Sequence, residues 1–230
     1  MTQLTDREHH ILIGTILGDA HIRKLRNDAC VEFSHSVKQK DYLFWKYRIF
    51  RKWCGTKPHL TKIQDHRYNQ EYRQWRFKTL SNSVFTEYWK TFYREGRKIV
   101  PEHIGKIITS PLSLAVWFMD DGGRRNDSYG LFLNTLSFTK LEHGYLRKCL
   151  AENFGIHSRI HWITDGYRLY IPSSEAKRFC TIISQYIIKI FLYKLSYNPL
   201  TTSFALLDRA RDRSSKTSIT RQSARVLERV

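Results

Sequence analysis

Residues 12–20 read LIGTILGDA, and residues 114–122 read LAVWFMDDG. Each is an apolar run closing on an aspartate, Asp19 in the first and Asp121 in the second, at an offset of 102 positions. Both predict helices. Thr5 and Glu8 stand three apart ahead of the first run, the spacing of a capping box, so this helix should reach about Gly18. Ser110 followed by Pro111 gives the second a capping hydroxyl and a proline at its first helical position. It should end near Asp120, before Gly122 and Gly123. Gly14 and Gly18 lie four apart on one face, with Ala115 as the small residue on the facing helix. Close approach there would bring both carboxylates to one place.

Working outward, the same order of elements follows each motif. Residues 31–37 alternate, with Val31, Phe33, His35 and Val37 on one face and Glu32, Ser34 and Ser36 on the other, which is strand periodicity. Residues 40–53 form an aromatic-rich helix ending at Gly55. Residues 60–64 and 72–79 read as a strand pair, and 82–93 as a helix stopped by Gly96. In the second half the strand is 131–138 and the helix 140–153, stopped by Gly155. Residues 159–163 and 167–171 form a hairpin across Thr164-Asp165-Gly166, and 174–188 is the matching helix. The expectation is αββαββα twice over, an α+β fold from an internal duplication, with halves 1–105 and 106–205 in one two-fold-like body. Residues 206–230 form a basic tail; from Arg209 onward it carries seven Lys/Arg against two acids. It reads as a solvated segment or an extra phosphate-contacting arm.

The 230 residues carry 39 Lys+Arg against 21 Asp+Glu, a net charge of +18. A charge this large fits a polyanionic partner, since each neutralised phosphate releases condensed counterions. No apolar run is long enough to span a bilayer, so nucleic acid is expected and a membrane is not. The four cysteines are scattered without a CxxC pair, which argues against a zinc knuckle and for reduced thiols in an intracellular protein. The first motif begins about a dozen residues from Met1, leaving no room for a transit peptide.

Phosphodiester hydrolysis with divalent metals needs hard oxygen ligands around the scissile phosphate. Asp19 and Asp121 supply them, so both are candidate metal ligands. Asp120 is open between lending its backbone carbonyl to the metal and capping the turn. Gly18 stands at the matching position of the first motif and is taken with it.

The paired stretches resemble the two signature helices of the LAGLIDADG homing endonucleases, in their monomeric two-motif form. Leu114, Ala115, Asp121 and Gly122 keep the pattern in the second, and Leu12, Gly14, Ile16 and Asp19 in the first. The likeness extends to about residue 205. Residues 111–123, 133–139 and 193–195 are most similar to a yeast mitochondrial intron endonuclease. The resemblance implies a double-strand DNA endonuclease using Mg²⁺, with Mn²⁺ able to substitute. It implies a lysine in each half near the cleavage centre, matched by Lys98 and Lys194. It also implies a polar side chain, commonly glutamine, on the first strand to position solvent. Ser34 and Asn134 or Leu136 fall near those places, and none is a glutamine.

By the same resemblance, two curved antiparallel sheets would saddle the DNA major groove. Tyr72, Gln74, Arg76 and Lys78 share one strand face suited to base edges, and the second hairpin offers Arg159, His161 and Arg168. The loops 21–26, with Arg23 and Lys24, and 124–127, with Arg124 and Arg125, would lie over the phosphate backbone. A monomer with unlike halves implies a long asymmetric target cut to leave short 3′ overhangs. The gene would belong to an intron or mobile element in an organelle or a bacterium. The alternative is an RNA maturase assisting the splicing of its own intron. A DNA-binding regulator without chemistry would be expected to have lost one of the aspartates or lysines.

Overall fold

The computed structural model describes residues 3–65 and 70–197; the expected basic tail, 206–230, lies outside them. The chain runs α1 (Asp6–Leu17), β1 (His21–Lys24), β2 (Ala29–Ser36), α2 (Lys40–Phe50), β3 (His59–Asp65), β4 (Gln70–Lys78) and α3 (Ser83–Phe92). A small hairpin, β5 (Tyr93–Arg94) and β6 (Arg97–Lys98), and the short α4 (Ile104–Ile107) lead to the second half. There follow α5 (Pro111–Asp121), β7 (Gly122–Arg124), β8 (Leu131–Leu133), α6 (Lys140–Phe154), β9 (Arg159–Ile163), β10 (Gly166–Ile171) and α7 (Ser173–Ile183). The order αββαββα therefore occurs twice. The two four-stranded sheets have the same antiparallel topology, β1-β2-β4-β3 and β7-β8-β10-β9.

Local chemistry sets the helix starts. The Thr5 hydroxyl accepts from the Glu8 N–H, and Glu8 accepts from the Thr5 N–H at 2.7 Å. Thr139 and Glu142 repeat this capping box at α6, and Ser110 caps α5 with Pro111 at its first turn. Gly155 ends α6 in the left-handed region at φ 64°, where a side chain would be strained.

The helices α1 and α5 pack against each other at the centre of one continuous apolar core. Gly14 makes this contact possible: a Cβ there would lie 2.4 Å from the Ser113 carbonyl oxygen and 2.8 Å from the Val116 Cβ. Position 14 thus meets the backbone of Ser113 and Trp117 and the Val116 side chain; Ala115 is not among the nearest groups to Gly14.

Four expectations are corrected. Of the expected loop 21–26, residues 21–24 form an edge strand paired with β2, and of its counterpart 124–127 only Arg124 is strand, the last residue of Gly122–Arg124 paired with β8. The strand expected over 131–138 stops at Leu133. The Asn134 N–H turns to donate to the Asp121 carbonyl, and Phe138 closes a turn on the Thr135 carbonyl. The helix expected over 174–188 ends at Ile183, where a short 3₁₀ turn follows and the Ile188 N–H meets the Met119 sulfur. Likewise α2 ends at Phe50, with a 3₁₀ turn over Arg51–Trp53.

Candidate active centre and nucleic-acid faces

The helix α1 closes at Gly18, whose N–H donates to the Gly14 carbonyl, and Asp19 follows in the turn. The helix α5 continues two residues further than α1 in the matched motif, so that Asp121 is its last residue and Asp120 is still helical. Asp120 then lies directly against Gly18. A Cβ at position 18 would meet the Asp120 Cβ at 2.4 Å, so only glycine fits there.

The Asp120 carboxylate is wholly buried and points across the interface into the first half. Lys46 Nζ donates to both its oxygens, at 2.8 and 2.9 Å, and the Tyr42 hydroxyl donates to one at 2.7 Å. The Asp19 N–H reaches the other at 3.3 Å. Lys46 Nζ also lies 3.0 Å from His35 Nε2, and His35 Nδ1 lies 3.4 Å from an Asp19 oxygen. Gln39 adds a further hydrogen bond to the imidazole. Oxygen and nitrogen atoms of Asp19, His35 and Asp120 all fall within 4.8 Å of one another, a spacing a metal ion could bridge. Yet both Asp120 oxygens already take strong hydrogen bonds from Lys46, so its side chain serves the interface. What Asp120 has left for a cation is its backbone carbonyl.

The two motif aspartates are poised electrostatically. Burial, and then the charge of Asp19, push the Asp121 carboxyl up to about 8. Burial and Asp120 push Asp19 up to about 6. The Asp19 side chain is nonetheless 41% exposed, so water screens part of this effect. Lys98 Nζ rests 2.9 Å from the carbonyls of Gly18 and Ala20, and Lys194 Nζ 2.6 Å from that of Met119 and 3.3 Å from that of Asp120. Burial lowers both lysines, opposed by the nearby aspartates. Each lysine thus sits on the carbonyls beside its own motif aspartate. Crowded carboxylates held near neutrality, with hard carbonyl oxygens alongside, fit a divalent cation that would relieve their repulsion.

The sheets present two open faces. In the first, Ile22, Val31, Phe33 and Phe77 are buried against the helices. The alternation therefore sends Arg23, Gln74, Arg76 and Lys78 to the opposite side. Glu32 lies among them, 3.0 Å from Arg23 and 3.8 Å from Arg76. Tyr72 is exposed at the far end of β4, paired across from Ile63. Lys24 does not join this face; its Nζ donates to the carbonyls of Leu25 and Asn27 and ties the β1–β2 turn. In the second sheet Leu131, Leu133, Leu169 and Ile171 are buried. Arg159, His161 and Arg168 share the other side, where His161 stacks on Tyr170 and Arg168 lies 4.7 Å over Phe132. Arg125 lies over Tyr170 and pairs with Asp127, while Arg124 stands exposed at the strand edge.

The profile of the LAGLIDADG DNA endonuclease family matches residues 9–179. The chain belongs to this family. A probable intron-encoded endonuclease of Wickerhamomyces canadensis is 30% identical over 203 residues, covering 86% of this chain and 87% of that one. The cytochrome b mRNA maturase bI2 of Debaryomyces hansenii is 31% identical over 194 residues, covering 80% and 72%. Among solved structures, the homing endonuclease I-WcaI bound to its DNA recognition sequence superimposes with a TM-score of 0.79 at 28% identity, covering 86% and 89%. These relatives establish the family without singling out the yeast mitochondrial enzyme to which the motif flanks were likened. No helix among the described residues is long and apolar enough to cross a membrane.

Sequence reasoning missed Tyr42, Lys46 and the role of His35. His35 alternates with Val31 and Phe33, which places it with the core face, while Lys46 lies in an aromatic-rich helix. The available signal was polarity out of place: a histidine on a buried strand face and a lysine on the buried side of a helix.

Proposed function

We propose that this LAGLIDADG protein is a site-specific homing endonuclease that cuts both strands of a long asymmetric duplex by metal-dependent hydrolysis. It acts as a monomer whose halves, 1–105 and 106–205, each serve one half-site, and it leaves short 3′ overhangs. One observation carries this reading: Asp19 and Asp121 converge from paired helices at the junction of two basic open sheets. The Asp19 and Asp121 carboxylates and the carbonyls of Gly18 and Asp120 would hold Mg²⁺, or Mn²⁺ in its place. The cation, when bound, supplies charge neutralisation and an activated water. Lys98 and Lys194 offset negative charge at the reacting phosphate of each strand. Gln74, Arg76, Lys78, Arg159, His161 and Arg168 read base edges or grip phosphates, with Tyr72 at the rim. Arg23, Arg124, Arg125 and Lys24 contribute to phosphate attraction around them.

The deciding experiment is cleavage of a randomised-site plasmid library by purified protein with Mg²⁺, against an EDTA control. Recovery of one long asymmetric site, cut on both strands only with metal, supports the reading. Binding without cutting at any metal concentration overturns it.

The identity to a cytochrome b mRNA maturase favours a second reading, help in splicing the host intron, alone or beside cleavage. Stimulation of intron splicing by a cleavage-dead variant would support it; splicing unaffected by the protein would remove it.

A further inference from the structure

The two halves repeat their backbone, but they do not repeat the polar groups behind the aspartates. Strand register gives the correspondence. His21 pairs with Glu32 and Gly123 with Phe132, so His35 corresponds to Thr135. The helices α2 and α6 begin at Lys40 and Lys140, which aligns Lys46 with Leu146. Asp120 itself corresponds to Gly18. The first half thus carries a buried histidine and lysine facing a carboxylate, where the second has a threonine, a leucine and a glycine. Thr135 is occupied elsewhere, with His143 Nε2 at 2.7 Å and the Leu169 N–H at 3.2 Å. Leu146 is fully buried in the apolar core.

Donor and acceptor inventory fixes the orientation of this group. An ammonium only donates, so the Lys46 contact at 3.0 Å requires His35 Nε2 to be the unprotonated acceptor. The ring proton then lies on Nδ1, which faces the Asp19 oxygen at 3.4 Å, longer than a formed hydrogen bond, with Gln39 as the ring's other side-chain partner. Asp120 anchors Lys46 and also accepts the Asp19 N–H. Asp19 is therefore approached from two sides by one connected network. Among the described residues, no side-chain hydrogen bond or ion pair holds the Asp121 carboxylate in the same way.

We infer that His35 is a positioning residue for Asp19, locked as its Nδ1–H tautomer by the Lys46–Asp120 pair, and that the two cleavage centres are consequently unequal. This rests on the endonuclease reading for its kinetic consequence, while the tautomer is a property of the protein alone. Closing this 3.4 Å contact to a hydrogen bond when the cation binds would hold the carboxylate so that its other oxygen faces the cation and phosphate, the usual effect of a partner behind a ligand. Asp121 would have to be oriented by the cation and DNA themselves. Loss of His35 should then slow the strand served by Asp19 and spare the other.

Two measurements test this. In ¹⁵N-histidine NMR of the metal-free wild type, with His35 assigned by its absence in His35→Gln, the ring should show the Nδ1–H tautomer. An Nε2–H tautomer overturns the proposal. On a target with each strand end-labelled, His35→Ala should slow one strand about 10–100-fold more than the other and accumulate nicked product. His35→Gln, which keeps a donor, should recover part of the loss. Equal slowing of both strands, or loss of target binding in step with cleavage, would make His35 merely structural and overturn the inference. Failure of the wild type to cut any DNA refutes the endonuclease reading instead, and the tautomer measurement still decides the positioning geometry.

Discussion

Lys46 Nζ stands 2.8 and 2.9 Å from the two oxygens of Asp120, with side-chain exposures of 1% and 0%, and the pair joins the α2 helix of one half to the α5 helix of the other. Removing one partner leaves a buried charge uncompensated. Lys46→Met should therefore cost about 3–5 kcal/mol of stability. Replacing both, as Lys46→Met with Asp120→Leu, should recover much of that loss, because an apolar pair avoids the desolvation penalty. Urea unfolding of the three proteins checks this; a Lys46→Met midpoint equal to wild type would mean that the pair contributes nothing.

Asp19→Asn and Asp121→Asn should each keep target binding and abolish double-strand cleavage. The amide preserves shape while removing the charge that would hold a hard cation. Gel-shift binding without metal, beside a Mg²⁺ cleavage assay, separates the two properties. Wild-type cutting by both variants would remove the aspartates from the mechanism.

The raised carboxyls imply a definite pH dependence for the metal-free protein. A carboxyl that binds its proton more tightly when folded contributes its full stability below the unfolded value, near 4. That contribution is lost as pH rises through the folded values, about 6 for Asp19 and about 8 for Asp121. The metal-free melting temperature should thus fall from pH 5 to pH 9, and added Mg²⁺ should restore more of it at the higher pH. Asp121→Asn should raise the metal-free Tm at pH 9 by about 2–4 °C, the response of a chain this size to ~1 kcal/mol. Melting curves that do not change between pH 5 and 9 would show that the carboxylates are not crowded.

Position 14 tests the helix contact. Gly14→Ala would place a methyl 2.4 Å from the Ser113 carbonyl oxygen, a backbone atom that cannot rotate away. Forced separation of α1 and α5 should cost about 1–3 kcal/mol and lower cleavage more than binding, because α1 leads directly into Asp19 and α5 ends on Asp121. Thermal unfolding together with cleavage rates reads both effects.

The features legible in the sequence are those whose physics is local. Thr5 and Glu8 are three residues apart, and Ser110 directly precedes Pro111, so the helix starts follow from spacing alone. Asp19 and Asp121 stand out because the motif is written twice. The edge strands β1 and β7 are too short for periodicity to declare them; they exist because β2 and β8 offer free edges. His35 and Lys46 are harder still. Their meaning depends on Asp120, 74 positions beyond Lys46, and only the packing of α1 on α5 brings that carboxylate to them. The end of β8 at Leu133 has a similar origin, since Asn134 spends its N–H on Asp121 rather than on a neighbouring strand.

Base reading should separate from phosphate attraction on the first sheet. Arg23 and Arg76 flank Glu32 at 3.0 and 3.8 Å on the open face, so its carboxylate draws both guanidinium groups toward that side. The planar fork of an arginine there suits paired hydrogen bonds to a guanine edge. Arg76→Ala should therefore cost about 1–3 kcal/mol on the preferred target and relax the preference at one base pair. Lys78, exposed at the end of the same strand, is expected to grip phosphate. Lys78→Ala should weaken binding almost equally across target variants and reduce the slope of log K against log salt by about 1. Binding to a panel of single-base variants at three salt concentrations distinguishes the two. If Arg76→Ala weakens every variant equally, Arg76 grips phosphate, and the base reading in this half belongs to Gln74 or Tyr72.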